Sequence, residues 1–159
     1  MALWWALAIL AVSGAAAPRD NAKTTPPTPP MPDLPACSRG ASWQMVARKA
    51  DLPPDVLAVL DTSFAQTHGI AEAGSDFEAG DSIVTDFPQA RFLRAYRIGN
   101  QWFIWFERGG AGLSRYLLGI GDVPAGSGRH ETGVLPGSHF TGDLCAGMRA
   151  CLAGARSAG

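Results

Sequence analysis

The stretch from Ala90 to Ile120 constrains the fold more than any other part of the chain. Two runs rich in aromatic and aliphatic residues, 90–98 and 101–107, flank the dipeptide Gly99-Asn100. A glycine-first pair between two such runs is the signature of a two-residue hairpin turn. The register it predicts puts Ile98 opposite Gln101, Tyr96 opposite Phe103, Arg94 opposite Trp105 and Phe92 opposite Glu107 on one face. The other face then pairs Leu93 with Phe106, Ala95 with Ile104 and Arg97 with Trp102. Both faces are largely apolar, so each needs a cover. Gly109, Gly110 and Gly112 make the next turn, and Leu113 to Ile120 returns as a third strand.

Around this sheet the expected elements are helical. Ser42 to Ala50 reads as a first helix with Ser42 as N-cap. Leu52-Pro53-Pro54-Asp55 opens a second, because proline fits the first turn and an acid suits the helix N-terminus. Val56, Leu57, Val59, Leu60 and Phe64 give it an apolar stripe, and His68-Gly69 ends it. Gly119 to Gly142 is expected to be mostly irregular. Leu144 to Ala153 closes the chain as a short helix with Leu144, Met148 and Leu152 on one face. The predicted fold is α+β: a small antiparallel β-meander of three to four strands, packed with two N-terminal helical segments and a short C-terminal helix.

The N-terminal end has a different composition. Met1 to Ala17 holds an uncharged apolar run followed by Ser13-Gly14-Ala15-Ala16-Ala17, the pattern of a secretory signal with cleavage after Ala15 or Ala16. An uncleaved anchor is the rival, although 17 helical residues span only about 25 Å of a core roughly 30 Å thick. Residues 18–35 read as a proline-rich linker favouring extended polyproline II, and residues 36–156 as a single globular domain. Export also gives meaning to the three cysteines, which imply one disulfide and one leftover thiol. Cys37 is expected to pair with Cys145 or Cys151. A reactive cysteine beside a histidine is the functional alternative.

Net charge of -1 conceals a segregation. Asp51, Asp55, Asp61, Glu72, Asp76, Glu78, Asp81 and Asp86 share the stretch 51–86 with no Lys or Arg, whereas Arg91, Arg94, Arg97, Arg108 and Arg115 follow with only Glu107 among them. Either the acidic segment folds against the basic strands, or the arginines meet an anionic partner. Arg94 with Trp105, and Arg97 with Trp102, allow cation–π stacking worth roughly 0.5–2 kcal/mol. Arg94, Arg97, Trp102, Trp105 and Arg115 are therefore the expected binding residues. The partner expected is an envelope protein or an anionic envelope polymer. Nucleic acid is not indicated by the overall charge, and a membrane only if the signal segment stays attached.

Motifs for chemistry are weak. The run from Gly74 to Phe87 fails as a calcium loop because the glycine comes one place early and Phe87 stands where a glutamate is needed. His130-Glu131 opens like a zincin motif without its second histidine. The spacing of His68, His130 and His139 does not require a metal, so no metal and no cofactor is expected.

The segments RFLRAYRIGNQWFIWFERGGAGLSRYLLGI and DLCAGMRACL resemble parts of small exported proteins of Gram-negative bacteria. The resemblance implies a periplasmic setting and brings no catalytic residues. The preferred expectation is a periplasmic, non-enzymatic binding module, of the inhibitor or immunity type. The alternatives are an envelope hydrolase using His130 with Glu131 or Glu107, and a structural envelope component.

Overall fold

The computed structural model describes residues 28–35, 37, 43–80 and 86–157. The expected signal segment, the first part of the expected linker, Ser42 and Asp81 lie outside these. In chain order the elements are β1 (Gln44–Val46), α1 (Pro54–Phe64), β2 (Ile70–Ala71), β3 (Ala90–Ile98), β4 (Gln101–Arg108), β5 (Ser114–Pro124), β6 (His130–Val134), β7 (Phe140–Thr141) and α2 (Leu144–Leu152). The class is α+β, with one mid-chain and one C-terminal helix on a seven-stranded sheet. Its core is the order β1-β3-β4-β5-β6; β2 adds to β3 and β7 to β5. All pairings are antiparallel except β2 with β3.

Turn chemistry accounts for the β3–β4 hairpin. Gly99 takes φ +62°, a conformation glycine adopts freely, and from Ile98↔Gln101 to Arg94↔Trp105 the register is the expected one. A bulge between Phe92 and Arg94 then shifts it by one residue. Phe92 lies opposite Phe106, and Arg91 opposite Glu107. The extra residue exchanges the faces of everything before it, which corrects the expected Phe92–Glu107 and Leu93–Phe106 pairs.

Both faces of the sheet are covered, as their apolar character requires. On one, α1 places Val56, Leu60 and Phe64 against Phe92, Ala95, Trp102, Ile104, Phe106, Leu118 and Ile120. Pro54 in the first turn starts this helix, and Thr62 and Ser63 bond back to the Ala58 and Val59 carbonyls at 2.8 Å. His68, at φ +59°, and the Gly69 amide bonded to the Phe64 carbonyl end it after a 3-10 turn. On the other face α2 sets Leu144, Cys145, Met148 and Cys151 against Leu93, Tyr96, Phe103, Trp105 and Leu117. Asp143 caps α2 by accepting the Ala146 amide at 2.9 Å.

Several expectations change. The expected helix over 42–50 is replaced by β1 and a 3-10 turn at Lys49–Asp51. The free edge of β3 captures residues 44–46 in its ladder, and tertiary pairing outweighs local preference. The region expected to be irregular carries β6, β7 and the end of β5, so the strands number more than four. Leu152 is exposed rather than buried with Met148, because the buried arc of α2 is centred on Met148 and includes both cysteines.

Cys37 pairs with Cys145, with a Cα–Cα distance of 5.5 Å. Closing a loop across a separation of 108 residues constrains the unfolded chain by roughly 4–5 kcal/mol in the entropy model. Such a bond is consistent with an oxidising, extracytoplasmic compartment. Cys151 is free and buried, and burial pushes its thiol pKa up, away from the reactive thiolate. Among the described residues no helix is long and apolar enough to cross a membrane.

The distal part of the proline segment packs onto the α2 face. Leu34 joins that cluster, and Arg91 donates from Nη1 to the Pro29 carbonyl at 2.8 Å and from Nη2 to that of Pro30 at 3.2 Å. The same guanidinium donates from Nε to Glu107 Oε1 at 2.7 Å, pairs with that oxygen again through Nη2, and lies 4.6 Å from the Phe77 ring centre. Arg91 and Glu107 are both buried. Gly109 is required beside them, since a Cβ there would come within 2.3 Å of the Glu78 carbonyl oxygen.

Candidate functional site

The first of the two expectations, an acidic segment folded against the basic strands, is not what the described acids show. Among those of the segment 51–86, Asp51, Asp55, Asp61, Glu72, Asp76 and Glu78 bond to backbone amides, hydroxyls and the basic groups of Arg48 and Lys49, and to none of the sheet arginines. Glu72 accepts the amides of Lys49, Ala50 and Ala73, Glu78 that of Gly80, and Asp51 the guanidinium of Arg48. Asp76 takes the Thr28 hydroxyl, Asp55 that of Thr132 at 2.7 Å. The acid that neutralises a sheet arginine is Glu107, from the neighbouring strand.

Strand alternation distributes the remaining arginines over two faces. Arg94 lies on the α2 face, half-buried, 5.7 Å from the centre of the Trp105 ring and donating to the Tyr96 hydroxyl at 3.3 Å. Trp105 itself is fully buried, out of reach of any partner. Arg115 shares that face but is exposed, beside a polar hollow of about 540 Å³ near Ser114 and Thr141. Arg97 and Trp102 lie on the α1 face, where Arg97 is exposed and its Cζ is 5.9 Å from the Trp102 ring centre. Arg108 is exposed on that same face. The five expected binding residues therefore do not form one platform.

What the α1 face does form is a groove. At one end, Asp55, Arg97, Asn100, Trp102, Asp122 and Thr132 line a hollow of about 320 Å³. Asp55 and Thr132 also line a second, shallow hollow of about 490 Å³ beside Ala58, Val59 and Thr62. Ser63 and Val134 carry it on into a third, of about 470 Å³, lined by Phe64, Phe106, Arg108, Tyr116, Leu118 and His139. The three follow the side of α1 that looks toward β6, the terminal strand of the sheet order. From Trp102 to Arg108 along β4 this is about 20 Å.

The ends of the groove differ in charge. The first holds one arginine against two carboxylates: the Thr132 hydroxyl holds Asp55 below the usual carboxylate range, and Asp122 lies 3.2 Å from His130 Nδ1. The third has Arg108 and no carboxylate in its lining. There burial, reinforced by the charge of Arg108, pushes the pKa of His139 down.

Sequence reasoning reached the first end through Arg97 and Trp102 and missed the third. The available signal was the glycine turn at 109–112. Continuing the ladder across it pairs Arg108 with Ser114 and Phe106 with Tyr116. His139 carried no such signal, because its position depends on the loop between β6 and β7.

The residues of the hydrolase alternative are not brought together. Glu107 pairs across the ladder with Arg115, and His130 with Pro124. These partners stand at opposite ends of β5, which places the two side chains' strand positions about 30 Å apart. Glu131 points to the opposite face from His130 by alternation. His68, His130 and His139 do not converge, and the described residues contain no cluster of three or more potential metal ligands. Comparisons with protein family models, with curated proteins and with solved structures return no match for this chain.

Proposed function

We propose that this chain is an exported, non-enzymatic binding module that receives an extended segment of an envelope protein, with an acidic end, in the groove between α1 and β6. The observation that carries the reading is the continuity of the three hollows beside a terminal strand, ending at a basic, carboxylate-free cleft. An extended segment suits a groove of that length, and a terminal strand offers main-chain groups along which such a segment can align. Arg108 supplies the attraction for the acidic end, while Arg97 between Asp55 and Asp122 favours a neutral or polar portion at the other.

Selection from a displayed random-peptide library against the full chain tests this. The expected result is enrichment of peptides that bind wild type and weaken by about tenfold or more with Ala58→Trp, which fills the middle of the groove from an exposed helix position. Enriched peptides that bind Ala58→Trp as well as wild type, or the absence of any enrichment, would remove the reading.

A further inference from the structure

Three rings from separate parts of the chain line the basic end of the groove. Phe106 and Tyr116 are directly opposed in the β4–β5 ladder, with ring centres 5.3 Å apart and planes 20° from parallel. His139 lies 5.1 Å from Tyr116 and 6.1 Å from Phe106, at 11° and 10°. The three rings are parallel and offset-stacked into an aromatic wall. Phe106 is buried at its base, while the half-buried Tyr116 and the exposed His139 present the accessible ring surface, and the best complement to such a surface is another flat ring in offset contact.

The wall is built in advance of any ligand. Ladder register sets two of its rings. The third follows Ser138, a buried residue whose hydroxyl accepts the Gly119 amide at 3.0 Å and donates to the Gly119 carbonyl at 3.1 Å. Gly119 makes room for this loop, since a Cβ there would lie 2.8 Å from that of Ser138. Phe64 adds an edge-on contact to Phe106 at 4.9 Å, so the base of the wall is braced by α1. A wall that needs no ordering on binding retains more of the contact energy. Leu118 and the exposed Val134 extend its apolar surface, and about 470 Å³ lies within the usual range of small-molecule sites.

One charge is aimed at this cleft. Arg108 stands two residues beyond Phe106 on the same face, and among the described residues it has no carboxylate within ion-pair distance. A guanidinium left in this way beside an aromatic wall matches a planar, bidentate acceptor. His139, with its pKa held down, is an uncharged imidazole at neutral pH and adds ring surface without a second charge.

We infer that this cleft binds a planar aromatic carboxylate, its ring against Tyr116 and His139 above the buried Phe106 and its carboxylate on Arg108. The site deepens the groove reading, and Ala58 lies outside its lining, so the two are separable.

The test is calorimetric titration of the full chain with 2-naphthoate, alongside amide chemical-shift mapping. The controls are 2-naphthamide, with the ring but no charge, and cyclohexanecarboxylate, with the charge but no flat ring. The expected result is binding of 2-naphthoate about tenfold tighter than either control, with shifts at Tyr116, Leu118, Val134 and His139. Arg108→Gln is expected to bring 2-naphthoate to the level of the amide while leaving the amide unchanged. Val134→Trp, at an exposed edge position, is expected to block all three. N-acetyltryptophan carries the same chemistry as a peptide C-terminus; tighter binding than 2-naphthoate assigns the cleft to a chain end, and weaker binding to a free aromatic acid.

Equal affinity for 2-naphthoate and both controls, no effect of Arg108→Gln, or shifts centred on Arg97 and Asn100 would overturn the assignment. If that happens while Ala58→Trp still abolishes peptide binding, the groove reading survives alone. If 2-naphthoate binds as expected and Ala58→Trp affects no peptide, the cleft survives and the groove reading fails.

Discussion

The two faces of the sheet carry the same kinds of residue and use them in opposite ways. On the α2 face, Arg91 is sealed in. Glu107, two proline carbonyls and the Phe77 ring occupy its guanidinium, and α2 with the disulfide-bonded cysteines packs on the apolar residues of the same face. On the α1 face, Arg97 and Arg108 stand at the ends of a groove with their charged heads in solvent. A basic strand run is thus no single feature. The same residue type holds the proline segment down on one side and stays solvent-exposed on the other.

Arg91→Ala should widen this contrast most. It leaves Glu107 buried with no cation and is expected to cost about 3–5 kcal/mol, whereas Arg97→Ala, which gives up an exposed cation–π contact, should cost about 0.5–1 kcal/mol and Arg108→Ala no more than about 0.5 kcal/mol. Denaturant unfolding of the three variants decides it; an Arg91→Ala midpoint close to the other two would erase the distinction between the faces. Replacing Arg91 and Glu107 together by Met and Leu should recover much of the loss, since no unpaired charge remains.

A smaller effect is expected where the α2 side supports the α1 side. Ser138→Ala removes both bonds to Gly119 and should destabilise by about 1–3 kcal/mol. In the same variant, loosening of the loop should reduce the ring-current shifts that Tyr116 imposes on His139, read by NMR. Intact shifts would mean that the aromatic wall holds itself.

The outlines of both faces were legible before any coordinates. Alternation and the Gly99-Asn100 turn define the β3–β4 pairing from Ile98 to Arg94, and Pro53-Pro54-Asp55 marks the start of α1. The partnership of Arg91 with Glu107 was not legible, because it depends on a one-residue bulge with no glycine or proline to announce it. Of the candidate site, Arg97 and Trp102 were visible as a cross-strand pair. His139 was not, because its place beside Tyr116 is set by a loop crossing between two short strands.

Weaker effects concern titration. Burial pushes the pKa of Glu72 up, but the amides of Lys49, Ala73 and Ala50 outweigh it and leave the pKa lowered. Its contribution is full above the ordinary glutamate pKa and lost as pH falls through the lowered folded value. Glu72→Gln should therefore flatten the acid side of the stability profile, and an unchanged slope would show that these amide bonds carry no linkage. Smallest of all, Arg108→Gln should raise the pKa of His139 while leaving it below the ordinary imidazole value, since burial is the larger cause. An NMR titration of the ring protons measures this, and a pKa unmoved by the substitution would separate Arg108 from the aromatic wall.

Local patterns in the chain specify the central hairpin, both helix starts, the need to cover two apolar faces and the pairing of Cys37 with a cysteine near the end. The first three follow from steric rules acting over a few residues and from side-chain alternation, and the last from the count and placement of three cysteines. Folding in three dimensions selects Cys145 over Cys151, turns residues 44–46 into an edge strand, and separates the buried arginine from the open ones. Each of these depends on which distant segment reaches a given edge or face, and burial converts the same charge from a solvated surface group into an internal fastener.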